Sequence, residues 1–400
     1  MSATNQAVEE ARRKPPLRVG VNLLWLVPGV VGGSEEYTTG LLRSMAEGDF
    51  RHIHLTLFTL PGFTSAHPEL AARLDTVVAP VDGADRSRRV LAESTWLPRV
   101  AGHRNVDLIH HAGGVVPPGR AIRAIPSVLT IHDLQPLVMP ENFSVVKRRW
   151  LRAMLPSSAR AARLVITPSD PTGASVVERL GVARDDVRTV SHGLVPRRPP
   201  TPDLVDEVRR RYGLSERMVL YPAITYPHKD HVTLVEAFSR IAAARPDATL
   251  VLTGGAGPAE ATLTRVIRES GAGAQIRRTG RIPRTHLDVL YSLADAVAIP
   301  SRFEGFGLPA LEAMAAGAPL VVADATALPW VVGDAAALAP IGDVAAWARA
   351  LDRLLGDPAE ADRLRAAGRA RADEFTWERS GAALAEVYED ASPVGETGAR

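Results

Sequence analysis

Cysteine is absent from all 400 residues. That absence excludes a disulfide framework, thiolate metal sites and a thiol nucleophile together, and it suits a reducing compartment, so the cytoplasm is the expected location. Net charge is nearly absent too. With 47 Lys and Arg against 45 Asp and Glu, the formal charge is +2, and no nucleic-acid partner is expected. A long apolar run is also missing. The stretch Val19 to Val31 is interrupted by Asn22, Pro28 and Gly29, well short of the roughly 20 residues that cross a bilayer. The opening MSATNQAVEEARRKPP has no apolar centre, so no signal peptide is expected and residues 1–16 are read as disordered. Neither H-E-x-x-H nor a D-x-D pair at a strand end occurs, and the chemistry is expected to need no metal.

What is present is a rhythm. From Leu17, short β-branched runs (LRVGVNLLW, IHLTLFTL, VDLIHH, PSVLTIHD, RLVITPS) alternate with helical patterns at 34–46, 87–98, 144–162 and 170–181. This alternation predicts a parallel sheet with helices on both faces. Residues 196–204, PRRPPTPDL, hold four prolines and two arginines and read as a linker. The rhythm then restarts with MVLYPAI, ATLVLTGG, QIRRTG, AVAIPS and PLVVAD, and a last helix is expected at 377–390 before a disordered tail, 391–400. The chain is long for one compact unit. Two α/β domains are therefore expected, 17–195 and 205–376, with a cleft between them and ligands gathered at the carboxyl ends of strands.

The densest chemistry lies in SRFEGFGLPALEAMAAG, residues 301–317. Gly305 and Gly307 permit a tight turn after the strand, and Pro309 suits the first turn of a helix that stops before Gly317. Backbone N–H groups of 305–308 then make an anion site, with Glu304 in the turn and Glu312 on the helix. Two carboxylates beside a phosphate-holding turn fit a nucleotide sugar. On spacing alone, a glycine-bearing helix start with two solvated glutamates is an equal reading.

At this point the sequence resembles a family. E-x7-E within SRFEGFGLPALEAMAAGAPLVV closely matches the signature of retaining nucleotide-sugar glycosyltransferases of the GT-B fold, family four or glycosyl transferases group one, and the resemblance runs from about Leu17 to Tyr388. It implies two Rossmann-like domains facing across a cleft, with the C-terminal helix packing back on the first. It implies Glu304 against the donor sugar's hydroxyls, Glu312 against the nucleotide ribose, and the backbone of Gly305, Phe306, Gly307 and Leu308 against sugar and diphosphate.

Three further stretches gain meaning from the resemblance. In PGVVGGSEEYTTGLL, Gly32 and Gly33 let backbone approach a diphosphate and Ser34 is placed to cap the next helix; alone, a glycine pair after a first strand is weak evidence. In TIHD, His132 and Asp133 close a strand. A lone histidine there is more often a satisfied structural residue, but the resemblance implies that His132 contacts the transferred sugar. His110, His111, Asp133 and Thr225 are expected as cleft lining. In YPAITYPHKDH, Lys229 would neutralise the departing diphosphate, although a loop lysine is commonly just solvated.

Two departures stand out. Relatives carry an arginine several positions before the lysine where this chain has Ala223, Ile224 and Thr225, and LPE is replaced by Leu328, Pro329, Trp330.

The expected reaction is transfer of a hexose, mannose-like, from a GDP- or UDP-linked donor to a carbohydrate or lipid-linked acceptor, with no other cofactor. Residues 144–163 mix Lys147, Arg148, Arg149, Arg152, Arg160 and Arg163 with Val146, Trp150, Leu151 and Leu155. That pattern fits either a solvated face or peripheral contact with an anionic inner membrane surface. A phosphorylase, a nucleotide-sugar epimerase and a non-catalytic sugar-nucleotide binding subunit are the competing readings.

Overall fold

The computed structural model describes residues 15–195 and 199–393. The chain divides into two compact units, one running to Gly193 and resuming at Trp377, the other Leu194–Thr376. Residues 1–14 and 394–400, most of the termini expected to be disordered, lie outside the described residues.

Unit 1 is built on seven parallel strands: β1 (Leu17–Asn22), β2 (Ile53–Thr59), β3 (Asp75–Val78), β4 (Leu108–His111), β5 (Ser127–Thr130), β6 (Leu164–Thr167) and β7 (Val187–Thr189). Their order in space is β3-β2-β1-β4-β5-β6-β7. Val19 lies opposite Leu55 on one side and Leu108 on the other. LIHH, SVLT and LVIT are buried at every position, as strands covered on both faces must be. The direction of winding reverses between β1 and β4, where loops splay apart and leave room for a ligand.

Three of the helices covering this sheet differ in how they start. Helix α1 (Gly33–Glu47) starts from Gly32, whose φ of 62° suits glycine, and no side chain caps it. Ser34 therefore does not cap, contrary to expectation: the helix begins before it, and the Gly32 carbonyl accepts the Glu35 N–H at 2.9 Å. Helix α2 (Arg86–His103) is capped by Asp85, which accepts from the N–H groups of Ser87 and Arg88. Helix α3 (Val145–Ala161) is capped by Ser144.

Unit 2 repeats the plan with six parallel strands: β8 (Arg217–Pro222), β9 (Ala248–Thr253), β10 (Ile276–Gly280), β11 (Ala296–Ile299), β12 (Leu320–Ala323) and β13 (Ala337–Ala339), ordered β10-β9-β8-β11-β12-β13. Winding reverses here between β8 and β11. Among its helices are α4 (Pro202–Tyr212), α5 (His231–Ala242), α6 (Arg284–Leu293) and α7 (Leu308–Ala316). Helix α4 shortens the expected linker 196–204. Pro202 sits in its first turn, where a missing N–H is harmless, and 196–198 lie outside the described residues.

The last helix, α8 (Trp377–Asp390), belongs to unit 1 and packs on α1. Gly40 is the reason it fits: a Cβ there would meet the Trp377 ring at 2.2 Å. The Ser44 hydroxyl donates to the Trp377 carbonyl at 2.5 Å, and Leu384, Val387 and Tyr388 complete the apolar core. Order continues past the helix. Ala391, expected in the disordered tail, is buried in that core, with its carbonyl 3.4 Å from the Arg163 guanidinium that donates to it. Among the described residues, no helix is long and apolar enough to cross a membrane.

Candidate functional site

In unit 2 the loops after β8 and β11 meet at the reversal point. The first is a single 3-10 turn, Pro227–Lys229, and the second is Pro300 to Gly307. The Lys229 ammonium donates to Glu304 Oε1 at 2.6 Å, with only 17% and 12% of the two side chains exposed. Several bonds hold that pair in place. The Tyr221 hydroxyl, at the end of β8, donates to the Lys229 carbonyl at 2.7 Å and lies 3.1 Å from Ser301 Oγ. Arg302 reaches back to Asp230 at 2.9 Å and donates its N–H to the His228 carbonyl, while the Glu304 N–H donates to Thr326 Oγ1 at 3.0 Å. A cation and a carboxylate are thus fixed, half-dry, at the carboxyl end of the sheet. An ammonium with three donors can share itself between that carboxylate and a phosphate.

Helix α7 begins at the same place. Gly307 has φ 99°, and a Cβ on it would come within 2.7 Å of Leu328. Its first-turn N–H groups give a positive end for an anion. Leu308 opens the helix and rests partly on the core, and Phe306 buries its ring against Trp330 and Phe375. Phe306 therefore offers a ligand its backbone only. Trp330, the unexpected residue after Leu328 and Pro329, serves as a wall of this aromatic cluster.

Glu312 is only 5% exposed and does not project into solvent. Its Oε1 is ion-paired with Arg284 and its Oε2 accepts from the Tyr291 hydroxyl at 2.8 Å. Burial pushes its carboxyl up from the ordinary range, and Arg284 pulls it back. Sequence reasoning does not single out these partners, although Arg284, Asp288 and Tyr291 recur at helical spacing on α6 and mark one polar face. Thr225 is likewise committed internally. Buried, it donates to Glu260 at 2.8 Å and accepts from the Gly257 N–H at 2.6 Å, so it anchors the glycine loop after β9 and does not line a cleft. Gly254 and Gly257 let that loop press on 223–225: a Cβ would meet the Ala223 carbonyl oxygen at 2.3 Å and the Thr225 carbonyl oxygen at 2.7 Å.

In unit 1, Gly32 and Gly33 open α1 with nothing within 4 Å of where a Cβ would sit at either position. His132 lies just beyond β5. Its Nε2 is 2.8 Å from the Ala112 carbonyl, which only accepts, so the ring hydrogen is on Nε2. Burial lowers its pKa to about 4, and it is neutral at physiological pH. Trp25 and Tyr37 pack their rings 5.7 and 5.4 Å from it. Asp133 accepts from the Gln135 N–H at 2.8 Å and shapes the turn after the strand.

The other two histidines correct the cleft-lining expectation. His110 is a core residue, 2.8 Å from the Tyr388 hydroxyl and 2.7 Å from Thr130 Oγ1. His111 is fully buried, with Nδ1 accepting from the Asn22 amide at 3.2 Å. Burial lowers both to about 3.

Two tandem parallel-sheet units of this topology define the GT-B class of glycosyltransferase. HepE of Anabaena, solved in complex with UDP and glucose, shares the fold at TM-score 0.73 and 20% identity, over 94% of this chain and all (100%) of that one. The pattern of Glycosyl transferases group 1 matches residues 206–371, and that of Glycosyltransferase Family 4 matches 31–198. The O-antigen chain mannosyltransferase B of Escherichia coli is 30% identical over 278 residues, 68% of this chain and 71% of that protein. The GDP-mannose-dependent alpha-(1-6)-phosphatidylinositol monomannoside mannosyltransferase of Mycolicibacterium smegmatis is 34% identical over 199 residues, 47% of this chain and 52% of its own length. The chain belongs to the group 1 glycosyltransferases of family 4 and is an enzyme that uses a nucleotide-sugar donor. These relatives are transferases by name, and none favours a phosphorylase, an epimerase or a binding subunit.

Proposed function

We propose that the enzyme transfers a mannose-like hexose from a GDP- or UDP-linked donor to an acceptor hydroxyl, with retention at the anomeric carbon and without a metal ion. The observation that carries this reading is the Lys229–Glu304 pair, fixed beside the start of α7 at the reversal point of unit 2. The pyrophosphate takes a share of the Lys229 ammonium and the N–H groups at the head of α7, which do the electrostatic work a divalent ion would otherwise do. Glu304, relieved of part of its ion pair, accepts from the hexose hydroxyls. Glu312, already polarised by Arg284 and Tyr291, accepts from the ribose. For unit 1, the family resemblance implies Gly32 and Gly33 as diphosphate contacts, where the backbone is open, and neutral His132 as the sugar contact.

As the bond from the anomeric carbon to the phosphate oxygen breaks, that oxygen receives the acceptor's proton. The new glycosidic bond forms on the same face. The mannosyltransferase names among the relatives support a mannosyl donor. A lipid-linked acceptor is supported by α3, where Val145 and Val146 are exposed among Lys147, Arg148 and Arg149. Leu151 and Leu155, counted in the sequence pattern as part of that apolar face, are buried in the core, so within 144–163 only the exposed start of the helix, around Val145 and Val146, is read as the surface that touches an anionic membrane.

Incubation with GDP-mannose and UDP-hexoses in EDTA, with the product's anomeric configuration read by proton NMR, tests the reading. An α-linked product from an α-linked donor is expected. Inversion, or a strict need for a divalent ion, would contradict it.

A further inference from the structure

Among the described residues, only three that are not glycine have a backbone in the left-handed region: Asn105, Asp230 and Thr326. Two of the three are bonded to the loop that carries Glu304. Thr326, at φ 49°, is the costlier of them, because this conformation crowds a β-branched side chain most. We propose that Thr326 is a positioning residue for the transfer: its strained backbone sets one hydroxyl against the Glu304 amide and so fixes where the Glu304 carboxylate meets the hexose. The role of Glu304 rests on the function proposed above, whereas the tether does not.

The loop after β12 is held on both sides of Thr326. The Asp324 N–H donates to the Ala339 carbonyl at 2.9 Å, and the Leu328 N–H donates to the Ala325 carbonyl at 3.1 Å. Ala325 and Ala327 are buried, while Thr326 between them is exposed. Burial therefore does not offset its strain. What the conformation gains is the bond from the Glu304 N–H to Thr326 Oγ1, at 3.0 Å. Glycine would make the same turn without strain, but it would carry no hydroxyl. Leu328 extends the brace, since it is fully buried and lies 2.7 Å from where a Cβ on Gly307 would sit. Residues 326–328 thus set both the Glu304 turn and the head of α7.

The other strained residue acts on the same loop. Asp230, also at φ 49° and only 6% exposed, accepts from Arg302 Nε at 2.9 Å, and the Arg302 N–H donates to the His228 carbonyl at 2.8 Å. Strand β11 lies between β8 and β12. The loop that leaves it is therefore tied from both neighbours, each time through a residue that glycine would replace with less strain. Strain gathered at one loop, and not repaid by packing, points to function. Glu304 has little room for error, because its Oε1 must stay 2.6 Å from Lys229 Nζ while its carboxylate serves the sugar.

The test compares T326G, which removes the hydroxyl and relieves the backbone, with T326S, which keeps the hydroxyl. Calorimetry of the full chain with GDP and GDP-mannose, and with UDP and UDP-glucose, gives the affinity of each hexose conjugate relative to its diphosphate. T326G should melt within about 2 °C of the wild type, because relieved strain offsets the lost bond and the freer unfolded chain. It should bind the diphosphate as the wild type does, yet weaken the hexose conjugate about three- to tenfold, the range that one hydrogen bond commands. T326S should restore the wild-type ratio. Hydrogen exchange of the peptide over 301–307 reads the tether without any ligand, and it should speed in T326G and return toward wild type in T326S. A wild-type ratio in T326G, a T326S ratio equal to that of T326G, or unchanged exchange would overturn the inference. So would equal loss of both ligands with a large drop in melting temperature, which would make Thr326 structural only. An E304Q ratio equal to wild type would instead refute the sugar role of Glu304, with the exchange arm still deciding the tether.

Discussion

Lowering the pH from 7.5 to 5.5 should destabilise unit 1 by roughly 4 kcal/mol. Burial lowers His110, His111 and His192 to about 3 and His132 to about 4, against an ordinary value of 6.5. The unfolded chain therefore binds protons below 6.5 that the folded unit refuses. Stability is full above that value and falls as pH falls, until about 4 for His132 and about 3 for the other three. Each histidine removes about 1.4 kcal/mol per pH unit. At pH 5.5 the four together remove roughly 5 kcal/mol. Glu93 opposes them weakly. Burial raises it to about 6, so the folded form binds the extra proton between 4.5 and 6, and this returns less than about 1 kcal/mol at pH 5.5. Domains are stable by only about 5–15 kcal/mol, so the net loss is a large and measurable fraction of the whole. Unit 2 holds two comparable groups, His228 and His231, each lowered to about 4 mainly by burial, and should lose about half as much. Urea unfolding at pH 7.5 and 5.5, followed by hydrogen exchange of peptides from each unit, reads this directly. Unit 1 should open first at the lower pH. Equal midpoints at both values, or earlier loss of unit 2, would refute the reasoning.

Other outcomes follow from the same geometry. G307A places a side chain at φ 99° with its Cβ 2.7 Å from Leu328, and the melting curve should show a loss of about 1–3 kcal/mol. R284A strands the buried Glu312 carboxylate, so it should cost about 3 kcal/mol at neutral pH in a denaturant titration and less in acid, where protonation removes the charge; E312Q in the same background should restore part of the loss.

The sequence announced the sheets through their central strands, because strands buried on both faces must be continuous apolar runs. It hid the edges. DTVV of β3 is half-exposed, VRT of β7 ends the first sheet, and ALA of β13 carries no β-branched residue, so none stands out as a strand. Helix α4 was concealed by the prolines around its start. Glu304 and Lys229 were visible as chemistry, yet nothing local told that they touch across 75 positions. His110 misled for the same reason, since Tyr388 lies 278 residues away. The residues that line a cavity of about 310 Å³ in unit 1 come from four separate segments, each ordinary when read alone.

The central claim is that Lys229 and Glu304 hold opposite parts of one donor, the pyrophosphate and the sugar. Dissociation constants of a nucleoside diphosphate and of its hexose conjugate, measured side by side for the wild type, K229A and E304Q, test it most directly. K229A should weaken both ligands by about tenfold or more, as loss of a charge-assisted phosphate contact implies. E304Q should leave the nucleotide as tight or tighter, because a carboxylate near its phosphates is gone, while removing the extra affinity that the hexose confers. Unchanged binding of both ligands by both variants would contradict the account.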